Sequence, residues 1–161
     1  MINSFDELSL FNGITTIHGE RGIATSPISS ITLPSSVVTL NTWAFTGCTN
    51  LSSINLNNIQ YIGGESLKNT KLSGIIDLPN VIQIGDSARG ASFIGCTRIT
   101  EVNVGSNFTT FVNGSNFENC TGLTKVTGLS NLTSIPGRTF YNCNELSSVD
   151  IDWNKITSVG T

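Results

Sequence analysis

Apolar residues return along this chain in a fixed order, in short groups that polar residues separate. The string FTGCTNLSSINL begins at Phe45, and strings of the same pattern begin at Phe93, Phe117 and Phe140. A degenerate copy begins at Leu67. Successive starting positions are 22, 26, 24 and 23 residues apart, a period typical of proteins built from stacked structural repeats.

Each repeat carries two groups of apolar residues. The L-x-x-I-x-L end of the string places its last two apolar residues on one side of a strand and the residue between them on the other. One repeat cannot cover its own apolar side, so neighbouring repeats must stack. The second apolar group is a pair in every repeat: Val37 and Leu40, Ile59 and Ile62, Val81 and Ile84, Phe108 and Phe111, Leu132 and Ile135, Ile156 and Val159.

This periodicity predicts a single, mostly β domain over residues 1–161, wound as a solenoid of about five coils and a partial sixth. The repeats are expected over residues 13–161. Ser4 and Glu7 fit the capping box of a helix N-terminus, and residues 4–12 are predicted to form a short helix that covers the first coil.

The partial sixth coil is predicted to end in an uncovered apolar surface. Trp153, Ile156 and Val159 belong to this coil. An open strand edge invites pairing, so we expect another chain or domain to contact this end. A chain that is a fragment of a longer protein would present the same pattern.

Residues 31–56, ITLPSSVVTLNTWAFTGCTNLSSINL, resemble the consensus of the BspA-like leucine-rich repeats of bacteria. The resemblance extends over about residues 23–161 and implies a leucine-rich-repeat solenoid. The sequence departs from the pattern at Leu67 and Thr70, which replace Phe and Cys, and at the longer segment 85–92. We expect distortions at these two places. Similar proteins are mostly surface or secreted adhesion and recognition proteins, and related repeats occur in phage proteins.

Composition and charge narrow the possible functions. Alanine occurs 4 times and charged residues make up 12% of the chain, which argues against a helical bundle. With 8 Lys and Arg and a net charge of −3, nucleic acid is a poor partner. No apolar run approaches the ~20 residues of a membrane helix, and the first residues lack the pattern of a signal peptide. Membrane insertion is therefore not expected.

The four cysteines follow the repeat. Cys48, Cys96, Cys120 and Cys143 are 48, 24 and 23 residues apart, and no C-x-x-C motif occurs. This spacing predicts a column of buried thiols that pack as small apolar groups. A disulfide between neighbouring coils and a metal site are the alternatives, and Thr70 in the same column argues against an obligatory ligand set.

No motif predicts catalysis, a cofactor or a metal site. His18 is the one histidine, and no nucleophile motif accompanies it. Asp77 and Glu101 fall at related positions of neighbouring coils, yet stacking alone brings such residues together. The segment that starts at Gly85 lacks the Lys of a phosphate-binding loop. We therefore expect a protein that is not an enzyme.

The polar residues on the outward side of the strands are the best candidates for ligand binding. They equally suit a solvated surface without a ligand. Trp43 and Tyr141 break the pattern of their columns and are expected to be partly exposed, as aromatic residues at interfaces are. The strand candidates are Ser30, Thr32, Ser53, Asn55, Asp77, Glu101, Asn103, Lys125, Thr127, Ser148 and Asp150.

The sequence thus favours a recognition or adhesion module that binds a protein or glycan through its strand face at the cell surface or outside the cell. The alternative is a structural or assembly domain of a larger polypeptide or phage particle, in which case the protein would be a virion component.

Overall fold

The computed structural model of the chain describes residues 5–19 and 23–160. It contains a 3-10 helix, Asp6–Leu10, and short strands that follow one another in pairs, two to a coil. The strands are β1 Thr16–Ile17, β2 Ser30–Ile31, β3 Thr39–Leu40, β4 Ser53–Ile54, β5 Tyr61–Ile62, β6 Ser73–Leu78, β7 Gln83–Ile84, β8 Arg98–Val104, β9 Thr110–Phe111, β10 Lys125–Thr127, β11 Ser134–Ile135, β12 Ser148–Val149 and β13 Ser158–Val159.

All strand pairs are parallel and form two ladders along the solenoid. The first ladder runs in the order β1, β3, β5, β7, β9, with β11 and β13 as a further pair. The second, which we call the displayed ladder, contains β2 and β4, followed by β6, β8, β10 and β12. Equivalent residues lie beside each other, as Leu40 beside Ile62 and Ile62 beside Ile84. The predicted mostly β solenoid, of about five coils and a partial sixth, is confirmed.

The third side of each coil is a turn whose backbone N–H groups point toward the next coil. Phe45 donates to Ser66 at 2.7 Å and Leu67 to Ser92 at 2.9 Å, whereas Asn41 at the end of the first ladder donates backward to Ile17 at 2.9 Å. This alternation requires left-handed backbone at fixed turn positions. One such column has φ of 53° to 62° and contains Trp43, Glu65, Ala91, Ser115 and Arg138.

The core is a stack of equivalent side chains. Phe45, Leu67, Phe93 and Phe117 are fully buried. The rings of Phe93 and Phe117 stack with centroids 5.1 Å apart and planes 12° apart, and Phe117 stacks on Phe140 at 5.8 Å. Equivalent side chains of successive coils are therefore aligned, as the period predicts, and they contact each other directly.

The four cysteines are free and buried, and each thiol has a specific acceptor. Cys120 donates its S–H to the carbonyl of Phe93 in the preceding coil at 3.2 Å, and Cys143 to that of Phe117 at 3.0 Å. Burial raises the pKa of the Cys143 thiol to about 11. The thiol column therefore does more than fill space, because it also ties each coil to the one before.

The N-terminal cover differs from the expectation for residues 4–12. It is a 3-10 helix of five residues, and its N-cap Phe5 makes no side-chain capping hydrogen bond. Ser4, the expected cap, lies outside the described residues. Leu8 is buried, whereas Phe5 and Phe11 are exposed. The segment holds one apolar side chain against the first coil, which is too little contact to stabilise a longer amphipathic helix.

The degenerate repeat produces the expected distortion. Leu72 is buried and is followed four positions later by the next buried residue, Ile76, whereas in the regular coil Ile54 follows Leu51 by three positions. The extra residue pushes Ile75 into solvent, where it is 57% exposed. The register between β6 and β8 also shifts after Gly74, which has a φ of 72°.

Candidate functional site

The displayed face, which we define as the outward side chains of the displayed ladder, contains a chain of side-chain hydrogen bonds. Asn103 Nδ2 donates to Asp77 Oδ1 at 2.8 Å, and Thr127 Oγ1 donates to Asn103 Oδ1 at 2.7 Å. The three residues lie in register on β6, β8 and β10. The ladder therefore fixes a row of polar groups across three coils.

An ion pair runs parallel to this row. Lys125 Nζ lies 3.5 Å from Glu101 Oε2, on strands that the register places side by side. Both side chains are partly exposed, so the pair adds little to stability but fixes a positive and a negative group on the same face. Ser53 is exposed further along, beside Ser30.

Two candidates on this face are bound to the backbone. Asn55 accepts from Leu33 N–H at 2.6 Å through Oδ1 and donates to Leu33 O at 3.1 Å, so its amide acts as an extra rung of the ladder. Asp150 accepts from the N–H groups of Gly128 and Leu129 at 2.8 and 2.9 Å. These two side chains hold neighbouring coils together and have less capacity left for a ligand.

The structure corrects the expected relation between Asp77 and Glu101. Asp77 lies beside Asn103, and Glu101 lies beside Ile75, because the register skips a residue of β8 at the bulge. Asp77 bonds to Asn103 and Glu101 pairs with Lys125, so the two carboxylates belong to separate interactions.

A pocket opens in the displayed ladder between β4 and β6. These strands do not pair, and within the described chain no backbone hydrogen bond joins residues 52–57 to residues 73–78. The opening has a volume of about 200 Å³. No sequence motif marks this opening, although the shifted position of Leu72 marks the distortion. Its lining residues are Ile54, Asn55, Leu56, Asn57, Ile75, Ile76 and Asp77.

Trp43 lies in a turn between ladders, and an arginine packs on its ring. Trp43 is half-buried, with the Arg89 guanidinium carbon 5.0 Å from its ring centroid. Arg89 Nη1 also contacts Glu65 Oε1 at 3.0 Å. Trp43 is therefore not part of the displayed ladder. Sequence reasoning missed Arg89 because it lies 46 positions away and meets Trp43 only through stacking of coils.

Tyr141 has a similar environment in the turn of a later coil. Arg138 lies over its ring at 4.5 Å and contacts Glu118 Oε1 at 2.5 Å. Tyr141 is 57% exposed, as expected. Arg138 precedes it by three residues, a spacing that could have identified this pair from the sequence.

A second cleft, of about 480 Å³, lies beside His18 at the edge of the first ladder. His18 Nδ1 is 3.2 Å from Asn41 Nδ2, and Thr42 and Trp43 also line the cleft. In residues 5–19 and 23–160, no three His, Cys, Asp or Glu side chains come together to hold a metal ion. No helix of the described residues is long and apolar enough to cross a membrane.

Two parallel ladders, a stacked aromatic column and a thiol column agree with one repeat family. The family model for the BspA type leucine rich repeat region matches residues 2–89 and 79–161, with 6 copies. The chain belongs to the BspA-type leucine-rich repeat family. No curated protein sequence matches it significantly.

Two solved structures are similar to this BspA-type repeat domain. A leucine-rich repeat protein from Bacteroides ovatus ATCC 8483 is 27% identical with a TM-score of 0.64, over 83% of this chain and 33% of that one. A leucine rich cell surface protein from Faecalibacterium prausnitzii A2-165 is 18% identical with a TM-score of 0.49, over 80% of this chain and 50% of that one. The chain thus spans a third to a half of the length of these proteins.

Proposed function

We propose that this BspA-type repeat domain is a non-enzymatic recognition module that binds a protein or glycan through its displayed face, at the cell surface or outside the cell. The proposal is supported above all by the row formed by Asp77, Asn103 and Thr127. These side chains hold one another in place before a ligand arrives, so binding costs less conformational entropy than ordering free side chains would.

The row also keeps groups for a ligand. In the described part of the chain, the second carboxylate oxygen of Asp77 and the second amide hydrogen of Asn103 have no hydrogen-bond partner. Lys125 and Glu101 add one charge of each sign beside them. A pattern of acceptor, donor and paired charge on a rigid ladder suits polar recognition rather than apolar burial.

The test is a binding screen of the folded protein on a glycan array and on a panel of purified extracellular proteins. The displayed-face variant carries Asp77→Ser, Asn103→Ser and Lys125→Ser. The matched control carries Tyr61→Ser and Gln83→Ser, on strands of the first ladder. We expect the displayed-face variant to lose at least tenfold in affinity for any hit and the control to retain it. Equal binding by both variants would reject this face as the site.

A second candidate function is assembly through the last described coil. Trp153 and Val159 are 62% and 63% exposed there, while Ile156 packs partly against the core. An exposed aromatic beside a short strand pair suits contact with another chain or domain, as in a larger polypeptide or phage particle. Multi-angle light scattering tests this: association that Trp153→Ser with Val159→Ser abolishes supports it, and a monomer at all concentrations contradicts it.

A further inference from the structure

The opening between β4 and β6 interrupts the displayed ladder. β4 and β6 form no strand pair, although neighbouring strands of a sheet ordinarily lie about 4.8 Å apart and hydrogen-bond to each other. Other strands of this ladder keep their backbone pairs, as β2 does with β4 and β6 with β8. The gap therefore leaves strand edges of two coils facing each other across a space of about 200 Å³.

The gap is closed at both ends. At one end Lys71 N–H donates to Leu51 O at 2.8 Å. At the other end Asn80 Nδ2 donates to Asn57 O at 2.7 Å. An extended peptide strand would have to run through both ends to pair along the gap, and these bonds block its path. The opening is thus a pocket and not a groove.

The volume of the pocket limits the size of the ligand that it can hold. Pockets for drug-sized ligands begin at roughly 300 Å³, so about 200 Å³ accommodates a small molecule of a single ring. The rest of a larger ligand would have to lie outside, along the displayed face.

The lining combines hydrogen-bonding groups with an apolar surface. Asp77 supplies a carboxylate acceptor, and Asn57 an amide that both donates and accepts. The Asn57 side chain makes no hydrogen bond within the described residues. Ile54 and Ile75 supply the apolar part, and Ile75 remains 57% exposed. A neutral sugar ring presents the complementary surface, with hydroxyls around its rim and C–H groups on its face.

We propose that this pocket binds one neutral sugar residue, held by Asn57, Asp77 and the facing strand edges and packed on Ile75. This inference rests on the proposed function, in which the displayed face binds a ligand, and it specifies glycan as the ligand class. The adjoining row from Asp77 to Thr127 contacts the rest of the glycan.

The experiment titrates ¹⁵N-labelled protein with five sugars and monitors the amide chemical shifts by NMR. The sugars are D-glucose, D-galactose, D-mannose, N-acetyl-D-glucosamine and L-fucose. A simple sugar has about twelve non-hydrogen atoms. If each atom contributes as much binding free energy as an atom of a drug-sized ligand does, the Kd is ~1 mM. We expect at least one sugar to give saturable shifts at Ile54, Asn57, Ile75 and Asp77 with a Kd in this range.

Two variants make the assignment specific. Asn57→Trp fills the pocket without removing a hydrogen bond of the Asn57 side chain, and it should weaken binding at least tenfold while the melting temperature stays unchanged. Tyr61→Ser with Gln83→Ser changes the first ladder, away from the pocket and the displayed face, and should leave sugar binding intact. Saturable shifts that survive Asn57→Trp would overturn the assignment.

The outcome separates this inference from the proposed function. The pocket assignment fails when none of the five sugars shifts its amides, or when only a short peptide such as acetyl-tetraalanine amide does. The displayed face can still bind a ligand in that case, and the array screen with the displayed-face variant decides that question independently. Loss of array binding in that variant without sugar shifts retains the function and rejects the pocket.

Discussion

The Thr70 hydroxyl lies 3.3 Å from Cys96 Sγ, and both groups donate to one acceptor, the carbonyl of Leu67. Cys96 reaches it from the following coil at 3.1 Å, as the other cysteines reach theirs, and Thr70 from its own coil at 3.0 Å. The hydroxyl in the degenerate repeat thus preserves the polar contact of the column. A column of four cysteines in which one coil has Thr is explained by hydrogen bonding as well as by size.

This shared acceptor predicts that Thr70 and Cys96 substitutions are not additive. Leu67 O also accepts from the Thr70 N–H at 3.3 Å, so Thr70→Val or Cys96→Ala alone leaves this carbonyl with two donors. Each variant loses a hydrogen bond worth about 1 kcal/mol, plus a cavity term for Cys96→Ala. The double variant leaves this buried carbonyl with the long bond from the Thr70 N–H alone, so the second loss costs more than the first. Urea unfolding should therefore show the double variant at least about 0.5 kcal/mol less stable than the sum of the singles.

The control for this cycle pairs Thr70→Val with Cys143→Ala, whose thiol donates to Phe117 and does not share an acceptor with Thr70. Those two changes should add within about 0.5 kcal/mol. Equal coupling in both cycles would contradict the shared acceptor.

The repeats made the fold predictable from sequence, because each buried position recurs in several repeats. Phe45, Phe93 and Phe117 could be placed in the core from their spacing alone, and they are fully buried. Tertiary contacts that occur once are not encoded in a period. The Arg89 contact with Trp43 and the pocket beside Ile75 depend on how an irregular coil packs against regular neighbouring coils. The sequence of a single repeat does not specify this packing.

The displayed face was predictable in part for the same reason. Alternation placed Asp77, Asn103 and Thr127 on the outer side of the ladder. Their pairing depends on a bulge that shifts the register by one residue, so Asp77 faces Asn103 rather than Val102. Strand register is sensitive to a single inserted residue, and the sequence gives no direct measure of where the coil absorbs it.

The buried thiols predict a loss of stability in alkaline solution. Burial raises the pKa of Cys96 to about 11, despite hydrogen bonds that lower it. An unfolded thiol titrates near about 8.5, so between these values the unfolded chain loses a proton that the folded chain keeps. The stability present below pH ~8.5 should fall by about 1.4 kcal/mol per pH unit for each such thiol.

Unfolding by urea at pH 8, 9 and 10 measures this slope. The slope is compared with that of Cys96→Ala, in which one thiol is absent. We expect the variant to lose stability less steeply by about 1.4 kcal/mol per pH unit. Identical slopes would show that Cys96 does not keep its proton in the folded state.

The left-handed turn column predicts a stabilising substitution. Ala91 has a φ of 62°, a conformation that costs a residue with a Cβ about 1–2 kcal/mol. Glycine removes this cost but loses more backbone entropy on folding, by about 0.5–1 kcal/mol. Ala91→Gly should therefore raise the free energy of unfolding by up to about 1 kcal/mol, because its N–H can still donate to Gly114.

Ala44 provides the matched control for this change. It is fully buried and lies outside the positive-φ column, so Ala44→Gly loses apolar contact and gains nothing from backbone relief. It should destabilise the protein by about 1–2 kcal/mol. Thermal and urea unfolding of both variants test the pair, and a loss of stability in Ala91→Gly would contradict the account of the turns.

Asp86 predicts a pH-dependent opening of the long segment at 85–92. Its carboxylate accepts from Thr42 Oγ1 at 2.6 Å, Gly64 N–H at 2.8 Å and Arg89 N–H at 2.8 Å, so it ties three coils together. Burial raises the pKa of Asp86, but these hydrogen bonds outweigh burial and leave the pKa below its usual value. A depressed pKa contributes stability above about pH 4 that is lost as pH falls through the folded value.

Amide chemical shifts of Gly64 and Arg89 between pH 6 and 2 should follow this titration with a midpoint below about 3.9, the usual value for Asp. Asp86→Asn should remove the transition and destabilise the protein by about 1.5–3 kcal/mol at pH 6, because hydrogen bonds to a charged acceptor are lost. Asp152→Asn, at a partly exposed carboxylate of the last turn, should change the free energy of unfolding by no more than about 0.5 kcal/mol. A midpoint at or above the usual value would mean that the donors around Asp86 do not hold its charged form, and the segment would then owe its position to Asn113, which donates to Asp86 O at 2.6 Å.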